Sequence, residues 1–115
     1  MTLIGTDIEQ ISRIQRVLLR TPGFVKRVFT KAERAYCDQR GSPAQHYAAR
    51  FCAKEAVAKA LEIPVRWVEI EVVNNVAGAP KVRVHGATAK TLGRRAVRLS
   101  LAHAGDYAVA TVLIE

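Results

Sequence analysis

Cysteine, aromatic residues and acidic residues are all scarce in this chain. Cys37 and Cys52 are the only two cysteines, too few for a disulfide scaffold and without metal-ligand spacing. Cys52 reads as a small core residue and Cys37 as an ordinary thiol near a helix end. Aromatics make up 6% of the chain, and no recognised nucleic-acid motif accompanies them, which argues against a base-stacking surface. No apolar run approaches the length of a membrane span. The opening residues MTLIGTDIEQ lack a basic region and meet Asp7 at once, so no signal peptide is expected. These absences predict a cytoplasmic, soluble protein.

What is plentiful is positive charge. Eighteen basic residues face 10 acidic ones, a formal +8, with an isoelectric point near 10.1. That balance predicts a polyanionic partner: nucleic acid, a membrane surface, a phosphorylated small molecule or an acidic protein. Half of the 115 residues are hydrophobic. That suffices for one domain over residues 1–115, built on a single core.

The chain is organised around Arg50 to Leu61, RFCAKEAVAKAL. Read as a helix it is apolar nearly all round, the mark of a buried helix. It nevertheless carries Arg50, Lys54, Glu55 and Lys59, and buried charges are costly unless paired or holding an ion. Glu55 and Lys59 share one stripe, and Arg50 and Lys54 another. A Glu–Lys pair one turn apart is usually a solvated contact. The alanine-rich setting here favours the floor of an anion-handling site.

Along the chain, Thr2 to Asp7 reads as a short apolar strand. Thr6 and Glu9 match a Thr-x-x-Glu capping box, so a helix is expected from about Asp7. Ile8, Ile11, Ile14 and Leu18 then form an apolar stripe, with Arg13, Arg16 and Arg20 on the opposite side. An all-arginine stripe suits docking to carboxylates or phosphates. Thr21-Pro22 introduces a short segment through Phe29. Thr30 and Glu33 form a second capping box, which accounts for Glu33, and the helix runs to about Gln39. A long helix follows from about Pro43 to Leu61, with Ser42 as N-cap and Gln45 closing its box. From Arg66 the period changes to two: Val68, Ile70 and Val72 face one way, and Trp67, Glu69 and Glu71 the other. Asn74-Asn75 and Gly78-Ala79-Pro80 are loop punctuation. Lys81 to His85 is a strand, Gly86 to Arg95 a weak helix or link, and Val97–His103 and Tyr107–Glu115 a hairpin about Ala104-Gly105-Asp106. Helices come mainly first and strands last. The class is α+β, with an antiparallel sheet packed on the long central helix.

Asp7 and Glu55 are the candidate metal carboxylates. Mg²⁺ is commonly held by one or two carboxylates, with water and substrate phosphate completing its shell. Lys59, one turn beyond Glu55, suits neutralisation of phosphate oxygens, and His103 projects from the end of a strand. Spacing alone makes this a weak signal.

The blocks LIGTDIEQISRI, RVFTKAERAYC, RFCAKEAVAKAL, WVEIEVVNNVAGAP and SLAHAGDYAVATV, in this order, resemble the holo-acyl-carrier-protein synthases, small 4′-phosphopantetheinyl transferases. Gly5-Thr6-Asp7 and the Phe51-to-Ala60 block carry the specificity. The resemblance implies the transferase fold and a homotrimer with sites at subunit interfaces. Asp7 and Glu55 then match Mg²⁺ ligands, Lys59 the lysine beside the pyrophosphate, and His103 the late histidine near the coenzyme phosphates. Arg50 and Lys54 match basic positions near those phosphates, and Gly78 and Pro80 lie in a loop serving a neighbour's site. Arg13 matches the arginine that grips an acidic acyl carrier protein, and helical spacing extends that face to Arg16 and Arg20. The activity implied is Mg²⁺-dependent transfer of 4′-phosphopantetheine from coenzyme A to a carrier-protein serine, releasing 3′,5′-ADP. The acceptor of the serine proton stays open between a carboxylate and water.

The chain departs from the family pattern in three places. Ser100-Leu101-Ala102-His103 has alanine where a serine is common, Ala79 replaces a lysine, and the connection between Leu61 and Trp67 is short. A carrier-binding homologue with impaired catalysis is therefore one rival reading. A basic nucleic-acid-binding module is another, but it leaves Asp7 and Glu55 unexplained, since carboxylates repel phosphate unless a cation lies between.

Overall fold

The structure, a computed structural model, describes all 115 residues. Eleven elements follow in order: β1 (Leu3–Gln10), α1 (Ile11–Arg20), α2 (Phe24–Val28), α3 (Lys31–Asp38), α4 (Pro43–Leu61), a 3₁₀ turn (Trp67–Glu69), β2 (Ile70–Asn74), β3 (Pro80–Val84), α5 (Gly86–Leu92), β4 (Val97–Ala104) and β5 (Tyr107–Ile114). The strands form two antiparallel sheets, β1-β5-β4 and β2-β3. The α+β class and the long central helix are as the sequence implies; the sheet is divided in two.

Ten of the 19 residues of α4 are buried, so this helix is the centre of the core and not a flank. Pro43 occupies its first turn, where a missing N–H costs nothing. Glu62 ends it in the left-handed conformation, with φ of 57°. β1 and β5 pack on it, and the contact is close because Gly5 has no side chain. A β-carbon there would run into the carbonyl of Ala56. Opposite Gly5, Asp7 and Glu9 on β5 stand Val112, Ala110 and Ala108, all fully buried. The alternation of a strand therefore turns Asp7 and Glu9 toward the helix and Ile4 and Ile8 away from it.

Three local expectations are corrected. The first helix does not begin near Asp7, and Thr6 and Glu9 form no capping box. β1 continues to Gln10 because each of its residues from Leu3 pairs with β5, and Thr6 donates its hydroxyl to the carbonyl of Ala110 at 3.0 Å. The start of α1 is capped from the distant hairpin, where Asp106 accepts from the Ser12 backbone at 2.9 Å and from its hydroxyl. At the second site, Ser42 makes no side-chain cap, and Gln45 turns to His103. Trp67–Glu69 coils into a 3₁₀ turn, so the strand starts only at Ile70.

The Thr30–Glu33 capping box is present in full, but Glu33 does more than cap. Its carboxylate, fully buried, meets the Lys54 ammonium at 2.7 Å. It also accepts from the backbone N–H of Thr30 and of Val72, each at 2.9 Å. Lys54 spends its remaining donors on the carbonyls of Trp67 and Ile70. The pair ties α3, α4 and β2 together at one point. Both cysteines are buried, and burial raises both thiol pKa values.

Candidate active site

Two groups of polar residues flank α4. The first gathers Asp7, Glu9, Glu55 and Lys59. Because β1 crosses α4 at Gly5, Asp7 two residues on comes against the helical turn that carries Glu55 and Lys59. The Lys59 ammonium bonds Asp7 Oδ1 and the carbonyl of Thr6, both at 3.1 Å. The other Asp7 oxygen, Oδ2, is buried and has no partner, on a side chain only 10% exposed.

Glu9 was legible as a cap and is instead a third carboxylate of this group. Arg13 holds it at 3.1 Å. Burial, then the neighbouring carboxylate of Asp7, push Glu9 up to about 7. Burial and the charge of Asp7 also raise Glu55, with Lys59 opposing. Crowded, desolvated carboxylates of this kind disfavour their charged forms, and a cation among them relieves that cost. An orphaned buried oxygen beside such carboxylates fits a hard, oxygen-seeking cation such as Mg²⁺. No three ligand side chains are gathered closely enough to enclose a metal by themselves. That agrees with a two-carboxylate site whose shell is completed by water and substrate.

The second group lines a cleft of about 230 Å³ between α3, α4, β3 and the end of β4. Arg50, His103 and Pro80, all expected at the coenzyme, line it, with Tyr36, Gln45, His46 and Asn74. Arg50 is almost wholly buried. Its guanidinium lies 4.0 Å above the Tyr36 ring and donates to Asn74 Oδ1 at 2.7 Å, while its Nε–H is buried without a partner. A buried N–H with no acceptor is costly, and an anion entering the cleft would supply one. His46 is held below the usual histidine range by burial and by the nearby Arg50 and Arg40. Gln45 and His103 approach through their Nε2 atoms at 3.3 Å.

Lys54 does not belong to either group. It is fully buried, and all three of its ammonium hydrogens have protein acceptors, leaving none for a phosphate. The phosphate role expected of it is withdrawn. Gly78 does not line the cleft either; with φ of +90° it shapes the β2–β3 turn and accepts from Asn74 Nδ2 at 3.0 Å. Asn74, unmarked in the sequence except as turn punctuation, thus links that turn to Arg50. Arg13, Arg16 and Arg20 are exposed along α1 as expected.

Residues 3–112 match the 4′-phosphopantetheinyl transferase superfamily. The chain belongs to that superfamily. It is 46% identical to the holo-[acyl-carrier-protein] synthase of Anaeromyxobacter dehalogenans strain 2CP-C, over 97% of this chain and 94% of that protein. It is 44% identical to the synthase of Moorella thermoacetica, over 96% and 91% respectively. The structure of the Chronobacterium ammoniagenes ACPS-CoA complex superposes with a TM-score of 0.89 at 29% identity, covering 100% of this chain and 97% of that one. Mycobacterium tuberculosis acyl carrier protein synthase gives 0.83 at 34% identity, covering 98% and 96%. The transferase fold is therefore established, and the chain is an enzyme of the holo-[acyl-carrier-protein] synthase type.

Proposed function

We propose that this enzyme transfers 4′-phosphopantetheine from coenzyme A to a serine of an apo acyl carrier protein and releases 3′,5′-ADP. The observation that carries the reading is the orphaned, buried Asp7 oxygen between Lys59 and the raised carboxylates. It supports Asp7 and Glu55 as the residues that hold Mg²⁺. Mg²⁺ bound there would polarise the pyrophosphate and offset charge on the leaving nucleotide.

The chain's own residues do the rest by position and charge, as phosphoryl transfer chiefly requires. Lys59, 56% exposed at its side chain, is free to swing from Asp7 toward phosphate oxygens. Arg50 offers its unpartnered Nε–H to a phosphate in the cleft, and His103 on the rim orients it. Pro80 contributes an apolar wall, with the Gly78 turn behind it. Arg13, Arg16 and Arg20 attract the acidic carrier protein.

Homotrimer formation belongs to the same reading. On the outer face of β1 and β5, Ile4 is 68% exposed, Ile8 60% and Leu113 37%, and Ile4 pairs directly with Leu113. A contiguous apolar face of this kind marks an interface, which supports subunit packing there. No helix is long and apolar enough to cross a membrane, and a cytoplasmic site of action is part of the proposal.

A Glu55→Gln variant tests the reading. Transfer is expected to fail while carrier binding persists. Full turnover by the variant, or loss of carrier binding with it, contradicts the assignment.

A further inference from the structure

We propose that Asn74 is a positioning residue for coenzyme binding, which fixes the guanidinium of Arg50 in the cleft without cancelling its charge. The inference rests on the reading that Arg50 meets the coenzyme there.

Buried charges are normally paired, and Lys54, one turn along α4 from Arg50, takes the carboxylate of Glu33. Arg50 is almost as deeply buried, yet it makes no ion pair, and no acidic residue lines its cleft. Neutral groups hold it instead. The face of the Tyr36 ring, 4.0 Å from the guanidinium, fixes its plane. Asn74 Oδ1, accepting from Nη2 at 2.7 Å, fixes its rotation within that plane. The Nε–H is left buried with no acceptor. A carboxylate at position 74 would neutralise the cation it holds, and an amide oxygen does not. The full charge is thereby kept for an entering anion.

The Asn74 amide is itself fixed. Its Nδ2 donates to the carbonyl of Gly78 at 3.0 Å, and a guanidinium can only donate. A flipped amide would set N–H against N–H and oxygen against oxygen, so the two partners specify one orientation. Arg40 stacks on the same tyrosine ring, also at 4.0 Å, and two guanidiniums on one ring repel. Asn74 holds Arg50 in place against that repulsion.

The test is calorimetric titration of the full chain with coenzyme A, beside steady-state rates, on five proteins. These are the wild type, Asn74→Ala, Arg50→Ala, the double variant and Asn74→Asp, each checked for folding by its thermal unfolding curve. Asn74→Ala is expected to weaken coenzyme binding roughly three- to tenfold, with kcat and the KM for carrier unchanged. In the Arg50→Ala background the same substitution should have no further effect, since Asn74 acts through that guanidinium. Asn74→Asp holds Arg50 but cancels its charge, so it should weaken binding at least as far as Asn74→Ala. Wild-type affinity in either Asn74 variant overturns the inference. An equal loss in both Arg50 backgrounds also overturns it, because the effect then lies in the β2–β3 turn. Failure of the underlying reading looks different: Arg50→Ala itself would bind coenzyme as the wild type does, and the inference would fall with it.

Discussion

Gly5 on β1 lies directly against the carbonyl of Ala56 on α4, with no room for a β-carbon between them. This contact sets the distance between strand and helix, and so brings Asp7 to Lys59 and Glu55. Gly5→Ala forces backbone against backbone and is expected to destabilise the fold by roughly 1–3 kcal/mol or more. The variant should also lose transferase activity before it loses structure, because Asp7 moves with the strand. Denaturant unfolding and activity at permissive temperature check both.

The two buried cations of α4 have opposite fates. Lys54→Met leaves Glu33 buried and uncompensated, which costs about 3–5 kcal/mol, yet the folded fraction should keep its KM for coenzyme A. Arg50→Ala removes the guanidinium from the cleft and should raise that KM by on the order of tenfold or more, since a charged hydrogen bond to phosphate is lost. Thermal unfolding and initial rates on the same preparations distinguish them. A Lys54 variant that is stable but binds coenzyme poorly would restore Lys54 to the site.

The response to Mg²⁺ should depend on pH. Glu9 is pushed up to about 7 and Glu55 is raised as well, burial being the first cause for both. In the metal-free protein the folded state holds these protons more tightly than the unfolded chain. Their contribution to stability is therefore full below the ordinary carboxylate range and declines as pH rises through about 7. A cation must displace those protons, so it stabilises more at high pH than at low. Melting curves with and without Mg²⁺ should diverge on going from about pH 5 to about pH 8. Equal shifts across that range would contradict the carboxylate assignment.

Arg16 and Arg20 are exposed on α1, and their side chains make no hydrogen bond within the chain. Reversing both to glutamate should raise the KM for an acidic carrier by on the order of tenfold and flatten its salt dependence, because rim charges act mainly on association. The rate at saturating carrier should hold. Surface plasmon resonance at two ionic strengths, beside steady-state kinetics, reads both.

What the sequence disclosed followed the range of the interactions involved. The span Pro43–Leu61 was legible because its signals are local: a proline at the start, a run of alanines, and a break before Pro64. The Thr30–Glu33 cap was equally local. Thr6 and Glu9 carry the same local pattern, but a ladder to β5, about a hundred residues away in sequence, claims them instead. Lys54 and Glu33 lie 21 residues apart, and neither helix alone shows that one buries the charge of the other. Asn74 had a sequence signal, but it marked a turn and said nothing of Arg50. Glu9 had the most informative one: an acidic residue two positions after Asp7 on a strand shares its face. Only the correct assignment of β1 as a strand through Gln10 makes that visible.

The most direct test is the intact mass of an apo acyl carrier protein after incubation with this enzyme, coenzyme A and Mg²⁺, beside a chelator control. The carrier should gain the mass of one phosphopantetheine arm, and the chelator should abolish that gain. A carrier of unchanged mass, with several apo carriers tried and the enzyme folded, would contradict it. A full gain in the presence of the chelator would contradict the role given to Asp7 and Glu55.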